Sequence, residues 1–380
     1  MTTFINMLLC LCVFSIINPM AFINKLFINQ FRNLNNQLIK PGKNINLYIA
    51  DNAQGKTNLI EAIYYLGHNR SFKTKVIKEL INVDNDNFQL NAITDTHRIK
   101  LEKSRKKTII NINQQRLKNT SELAQILPMQ IMTPDKGFIV NGTPKNKRSY
   151  LDWGVFHVKP TVSSYFKNYN KALKNINSLL LSKKVQELDF WFLEIAKIST
   201  KINQARVDYI NQLKKIHSNE ILPLLSELFN SVKTFDYQFK SGWPKEADAL
   251  NHQSIYQYLT QNKVFLLKTK YLNYGPHKAS IKFSLNAKEE FLLSRGEQKI
   301  LSIIFWLTQV LILVKSGINP IVLIDDISSE LDKKKIKIIL HYLNTLDVQT
   351  FITNINHNLP LIKDDSTNIF HINKGVITPS

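Results

Sequence analysis

Apolar and polar positions alternate with period two from Phe22 through FINKLFINQF, and the run INLYIA follows at residues 45–50. Such alternation marks strands whose successive side chains face opposite sides of a sheet. After Thr57 the rhythm changes. In NLIEAIYYLG the apolar residues recur at helical spacing, and Gly67 is read as the C-terminal stop. The short runs FQLNAIT, HRIKLEK and TIININ within residues 88–115 predict an antiparallel meander. From Thr161 to Leu222 there is neither glycine nor proline, and spacings of three and four predict several helices. Past Pro276 the chain returns to strands and helices with IKFSL, the long apolar segment ILSIIFWLTQVLILV, then PIVLIDD and TFITNI. The unbroken apolar run before Asp325 suits a strand of a parallel sheet covered on both faces. The pattern as a whole predicts an α/β domain, residues 20–140 and 263–380, divided by a helical insert at 141–262.

The strand-to-helix junction carries the first candidate chemistry. Residues 50–57 read ADNAQGKT, which fits the phosphate-loop pattern G-x-x-x-x-G-K-[ST] except that Ala50 stands at its first position. In such a loop the backbone N–H groups of Asp51, Asn52, Ala53, Gln54 and Gly55 face phosphate oxygens. Lys56 reaches the β- and γ-phosphates, and the Thr57 hydroxyl ligates Mg²⁺. A side chain at position 55 would collide with phosphate, whereas Ala50 is peripheral enough for one methyl. Taken alone, Gly-Lys-Thr reads equally well as a surface turn.

A second element narrows the choice. PIVLIDD ends an apolar strand in paired acids, so Asp325 is expected to hold Mg²⁺ through water and Asp326 to act as general base on the attacking water. A solvated Asp-Asp turn is the alternative for that run by itself. Between loop and acids lies Leu293-Ser294-Arg295-Gly296-Glu297, similar to the L-S-G-G-Q/E signature of ABC-type ATPases. There a helix N-terminus offers a serine hydroxyl and N–H groups to the γ-phosphate held by another subunit. Ser329-Glu330-Leu331-Asp332 matches the D-loop of the same class.

Composition changes the picture in three ways. Fifty Lys and Arg against 29 Asp and Glu leave a net charge of +21, which favours an anionic polymer or surface as partner. Eleven glycines in 380 residues is a sparse allotment, and Gly55, Gly275 and Gly296 fall inside motifs. The only cysteines, Cys10 and Cys12, support neither a disulfide framework nor a cysteine metal site. Both lie in an uncharged N-terminal stretch without a basic region or cleavage site. Residues 1–19 are read as an upstream extension, with Met20 as the start and the body cytoplasmic.

Further blocks carry a family resemblance. FRNL (31–34), NAQGKTNLIEAIYYLGHNRSFKT (52–74), PMQIMTPDKG (128–137), GTPKNKRSYLDWGVFH (142–157), YGPHKA (274–279), LSRGEQK (293–299) and LIDDISSELD (323–332) resemble landmarks of the RecF recombination mediators. GPHKA and the R-x-x-LDW segment discriminate most, because generic ABC ATPases lack them. The resemblance implies an ABC-type P-loop head, a mixed sheet with helices and an antiparallel β subdomain, carrying an inserted helical lobe. It implies ATP and Mg²⁺ as cofactors and a homodimer closed around two ATP molecules on gapped or single-strand/double-strand junction DNA. Mediator proteins of the RecO/RecR type would be its partners. Carried over to this sequence, Ala50 to Thr57 form the nucleotide loop and Gln130 links Mg²⁺ to the helical lobe. Ser294, Arg295 and Gly296 contact the partner's ATP, and Asp332 belongs to the D-loop. Departures are Ala50, Lys73 where Arg is frequent and Glu297 where Gln is usual; His357 is the candidate switch histidine.

Three basic clusters are candidates for DNA: Lys103, Arg105, Lys106 and Lys107; Lys145, Lys147 and Arg148; and Lys333 to Lys335. A charge run is more often a solvated face. Arg148 could equally pair with a carboxylate within the insert, and Lys333 to Lys335 could cap the helix that follows Asp332. His277 reads equally as a core residue or a contact. Against an ATP-gated DNA clamp with slow hydrolysis stand a transporter motor, a long-armed SMC-type ATPase and a DNA scaffold that uses ATP only to pair. The first would lack GPHKA and R-x-x-LDW, and the 57–293 interval is too short for a long arm.

Overall fold

The computed structural model describes residues 22–133, 139–183, 185–221, 234–355 and 367–380. The chain divides into two compact units: Met1–Met129 with Val314–Ile324 and His341–Ser380, and Gln130–Leu313 with Asp325–Leu340.

The first unit holds two sheets. In one, strands Gln37–Ile39, Ile23–Asn29, Asn87–Thr94, Arg98–Ser104, Thr108–Ile112 and Gln115–Arg116 pair antiparallel in that order. The meander expected over 88–115 is its centre. Leu90 lies opposite Leu101 and Leu101 opposite Ile110, so the period-two pattern buries one face. In the other sheet Ile45–Ile49 lies between Thr350–Asn354 and Thr367–Asn373, parallel to both. Ile321–Ile324 continues the sheet beyond Thr350–Asn354, and Val376–Pro379 closes the opposite edge antiparallel. Every residue of Ile45–Ile49, Ile321–Ile324 and Thr350–Asn354 is buried, which is why these strands read as unbroken runs. Gln349 joins the two sheets by exchanging hydrogen bonds with the Ile23 backbone at 2.8 and 3.0 Å.

The helix after Ile49 spans Lys56–His68 and differs from expectation at its end. Gly67 does not stop it. The chain turns at Asn69, left-handed at φ 50°, whose N–H bonds the Tyr65 carbonyl. Gly67 lies inside the helix because a Cβ there would stand 2.7 Å from Met129 Sδ. The glycine is a packing requirement.

In the second unit, helices Val162–Ser182 and Leu188–Ile216 account for the stretch without glycine or proline, and the helix Pro144–Val158 precedes them. Ile176, Leu180, Phe192, Ile195 and Ile202 form a common core with Ile255 and Leu259. Arg206 is 2% exposed; its guanidinium grips Asp152 at 2.8 and 2.9 Å and the Pro276 carbonyl at 2.9 Å. One buried arginine therefore joins the R-x-x-LDW and GPHKA blocks, so both are at least structural. A three-stranded antiparallel sheet, Lys288–Glu289, Ser280–Leu285 and Phe235–Lys240, lies in the same unit. The segment ILSIIFWLTQVLILV is helical, within Arg295–Lys315. It is the only helix among the described residues long and apolar enough to cross a membrane. Leu301, Leu307, Val310 and Leu313 have no exposure, so it is built as a core helix.

Candidate functional site

The loop of the first unit is set by its own neighbours. The Ala50 N–H donates to the Asn354 carbonyl at 3.2 Å, fixing where the strand ends. Ala53 is left-handed at φ 63°, and Gly55 adopts φ 120°. A Cβ at Gly55 would lie 2.9 Å from the Asn33 amide, so space and backbone both demand glycine. Asn33 braces the loop: its Nδ2 donates to the Gln54 carbonyl at 3.1 Å, and its Oδ1 accepts from Asn58 at 2.7 Å. On the far side, the N–H groups of Lys374 and Gly375 bind Gln54 Oε1 and its carbonyl at 2.7 and 2.9 Å. The neighbouring Arg32 forms a two-pronged ion pair with Glu61, a fully buried acid that also accepts from Ser71.

The helix beginning at Lys56 has no side-chain cap and no acidic residue in its first turn. Its N-terminal N–H groups and the positive end of its dipole thus suit an anion. Lys56 is buried, with Nζ donating to the carbonyls of Ala50 at 2.5 Å and Asp51 at 2.9 Å. Asp51, Asn52 and Ala53 are exposed, while Gln54 and Thr57 are half-buried. These residues fit a polyphosphate with a divalent cation: a glycine where phosphate must approach, an ammonium at the loop, and a hydroxyl at the helix start.

The acids fall in the second unit. Asp325 is 4% exposed, and its N–H donates to the Met132 carbonyl at 2.9 Å. That contact joins the acid to the strand Met129–Met132, which carries Gln130. The Gln130 amide donates to Gln309 Oε1, and Gln309 in turn donates to the Tyr150 carbonyl at 2.7 Å. Asp326 is left-handed at φ 48° and opens the short helix Ile327–Glu330. Asp332 opens the helix Lys333–Thr345: its Oδ1 accepts the Lys335 N–H at 3.0 Å, and Oδ2 pairs with Lys335 Nζ at 2.6 Å. Those hydrogen bonds hold its carboxyl below the usual range. Among the described residues no three or more His, Cys, Asp or Glu gather to hold a metal. A Mg²⁺ at the Thr57 hydroxyl would need phosphate oxygens to complete its shell.

At the signature, Ser294 and Glu297 cap the helix Arg295–Lys315 reciprocally. The Ser294 N–H donates to Glu297 Oε2 at 2.7 Å and the Glu297 N–H to Ser294 Oγ at 3.3 Å. These bonds lower the Glu297 carboxyl pKa and give the acid a structural use that does not depend on the usual glutamine. Ser294, Arg295 and Gly296 are all exposed. The nearest atom to a Cβ at Gly296 is Ser294 Oγ, at 4.0 Å.

The basic candidates separate. Arg105, Lys106, Lys107 and Lys145 are exposed, and Lys103 donates to Thr108 Oγ1 at 2.6 Å from a half-buried position. Lys147 departs from expectation: it is 5% exposed and pairs with Glu290, so it offers no free charge to a polyanion. Arg148 donates to the Ala279 carbonyl at 3.0 Å, a pairing with main chain where a carboxylate was the alternative to DNA. Lys335 has the capping use described for Asp332. His277 is a packing residue, with Nδ1 2.6 Å from the Tyr169 hydroxyl and its pKa lowered to about 4 by desolvation first and the Lys278 charge second. His357 lies outside the described residues. Sequence reading gave no role to Asn33, Arg32 or Glu61; FRNL was the available signal, but its function depends on contacts 21–29 residues away.

Comparison with known proteins gives a consistent result. A family model described as the RecF/RecN/SMC N terminal domain matches residues 22–378. The chain is 32% identical over 365 residues to the DNA replication and repair protein RecF of Psychromonas ingrahamii, covering 94% of this chain and 99% of that one. It is 33% identical over 367 residues to the Haemophilus influenzae protein of the same name, covering 93% and 98%. A solved structure described as the recombination mediator protein RecF-ATP in the RecFOR pathway aligns at TM-score 0.82 and 27% identity, over 95% of this chain and 98% of that one. An Smc head domain from Pyrococcus furiosus aligns at TM-score 0.54 and 15% identity over 95% and 96%, which shows a shared fold alone. The α/β architecture with a mixed sheet is accordingly that of the ABC-type ATPase head.

Proposed function

The chain belongs to the RecF family, and on that footing we propose that it is a cytoplasmic, ATP-dependent DNA-binding protein of recombinational repair and replication. It pairs with a second copy on ATP at gapped or junction DNA, helps load a recombinase with mediators of the RecO/RecR type, and hydrolyses ATP slowly with stimulation by DNA. The observation that carries this reading is the loop braced by Asn33 ahead of a helix with no side-chain cap and no acid in its first turn. Bound ATP with Mg²⁺ would supply the phosphoanhydride to be cleaved and the cation that offsets its charge.

In this reading Asp51 to Gly55 line the phosphates with backbone N–H groups, while the Ala50 N–H stays with the Asn354 carbonyl at the strand end. Lys56 exchanges its two carbonyl partners for the β- and γ-phosphates. Thr57 and Asp325 hold the cation, with Gln130 reporting to the helical insert 141–262, and Asp326 orients the attacking water. Ser294, Arg295 and Gly296 meet the nucleotide held by the other copy, beside Asp332. Lys103, Arg105, Lys106 and Lys145 supply charge to DNA, which makes binding sensitive to salt. A DNA scaffold that pairs on ATP without turnover is the second reading, and the intact Asp325 and Asp326 favour hydrolysis over it.

Lys56→Arg and Asp326→Asn test the assignment. Each is expected to lower ATP turnover by on the order of 100-fold, the scale of losing one preorganised charge contact. Wild-type turnover in both variants would refute the mechanism, and turnover at background in the unaltered chain would select the scaffold.

A further inference from the structure

Glu290 opens a single 3₁₀ turn, Glu290–Leu292, that leads directly into the signature. It is held from several sides. Both carboxylate oxygens accept from Lys147 Nζ, Oε2 at 2.6 Å, and Oε2 also accepts the Asn141 N–H at 3.3 Å. The Gln298 amide donates to the Leu293 carbonyl at 2.9 Å and to that of Glu290 at 3.4 Å. The Lys147 side chain is 6% exposed and that of Glu290 15%. A buried ion pair contributes little net stability relative to apolar residues of equal volume, and its best-attested use is to fix one geometry.

What this anchored turn displays is apolar: Phe291 and Leu292 are 64% and 62% exposed. They precede Ser294 by three and two residues, next to a helix tip with open space over Gly296. Exposed apolar side chains on a fixed turn lose little conformational entropy when covered. Polyanion is a poor cover for them. With Glu290 neutralised by Lys147, residues 288–297 keep two acids, Glu289 and Glu297, against two bases, Lys288 and Arg295, so the turn offers a polyanion no excess positive charge. The turn runs directly into Ser294, which the proposed function sets against a second copy, and that copy is the cover it fits.

We infer that Lys147 and Glu290 are positioning residues for the pairing of two copies: their ion pair fixes the turn that presents Phe291 and Leu292, beside Ser294, to the second copy. The inference rests on the ATP-driven pairing proposed above.

Sedimentation of the full chain with and without ATP, alongside thermal unfolding and single-chain ATP affinity, tests it. Lys147→Met should lower both stability and self-association, because Glu290 is left without its counter-charge. The double variant Lys147→Met with Glu290→Leu should recover the unfolding midpoint yet still self-associate about tenfold or more weakly. A merely structural pair would let the double variant recover both. Phe291→Ser with Leu292→Ser lies on the surface, should fold and bind ATP as the unaltered chain does, and should also lose about tenfold or more in self-association. It decides alone should the double variant not fold. Unaltered pairing in the serine variant, or full recovery in the double variant, overturns the inference. If the unaltered chain binds ATP but never pairs, the proposed pairing itself fails and this inference falls with it.

Discussion

Gly55 and Gly296 stand in motifs of the same proposed ATP machinery, but their own chain treats them oppositely. Gly55 sits at φ 120° with the Asn33 amide 2.9 Å from where a Cβ would go. Gly296 lies in the first turn of the helix Arg295–Lys315, with nothing closer than 4.0 Å to an added Cβ. The nucleotide loop is therefore shaped from within, by Asn33, Gln54 and the 374–375 turn. The signature tip is capped from within by Ser294 and Glu297, while its glycine answers to no neighbour of its own. A glycine with neither strain nor crowding to explain it fits a site completed from outside the chain.

The contrast can be broken by mutation. The largest effect is expected from Arg32→Met, which leaves the fully buried Glu61 carboxylate without its charged partner. Denaturant unfolding should show a loss of about 3 kcal/mol, the low end for opening a buried pair. A loss below half of that would mean Glu61 does not brace the loop helix. Gly55→Ala comes next, at about 2 kcal/mol for a strained, crowded backbone, together with lost ATP binding.

Acid should act more gradually and mainly on the second unit. Burial lowers the imidazole pKa of His157 and of His217 to about 3, and that of His277 to about 4, from an ordinary 6.5. Below pH 6.5 the unfolded chain takes up protons that the folded one refuses, so stability falls from pH 6.5 toward pH 4. The depressed carboxyls of Glu297 and Asp332 act in the same direction: their contribution is present above the ordinary carboxyl pKa and lost as pH falls through the folded values. Unfolding midpoints measured between pH 7 and pH 5 should decline, and His277→Gln should flatten the decline. Equal midpoints across that range would contradict the burial argument. The smallest stability change belongs to Gly296→Ala, within about 0.5 kcal/mol of the unaltered chain and on the favourable side because alanine suits a helix better. The same variant should nonetheless lose ATP-driven pairing. A Gly296→Ala protein that pairs normally would erase the contrast with Gly55.

The elements legible in the sequence were those whose cause is local. Period two in FQLNAIT and HRIKLEK, the apolar run before Asp325 and the change of rhythm after Thr57 each report the face a residue must bury, and the strands and helix follow. The phosphate-loop run was legible for the same reason, being one contiguous segment between a strand and a helix. Where the cause was distant, local reading failed. Gly67 looks like a helix stop, but it is glycine because Met129 packs against it. Lys147 looks like one of three surface cations until Glu290, 143 residues away, takes its charge. His277 was undecided until Tyr169 and the Leu272 carbonyl enclosed its ring.

The sequence by itself determined the alternation of strands and helices, the order of the motifs and the family, because periodicity and contiguous motifs need no partner in space. Only the tertiary structure decided which charges are spent internally and which glycines are forced. A side chain's role depends on what the fold brings within about 3 Å of it, and no spacing along the chain encodes that distance.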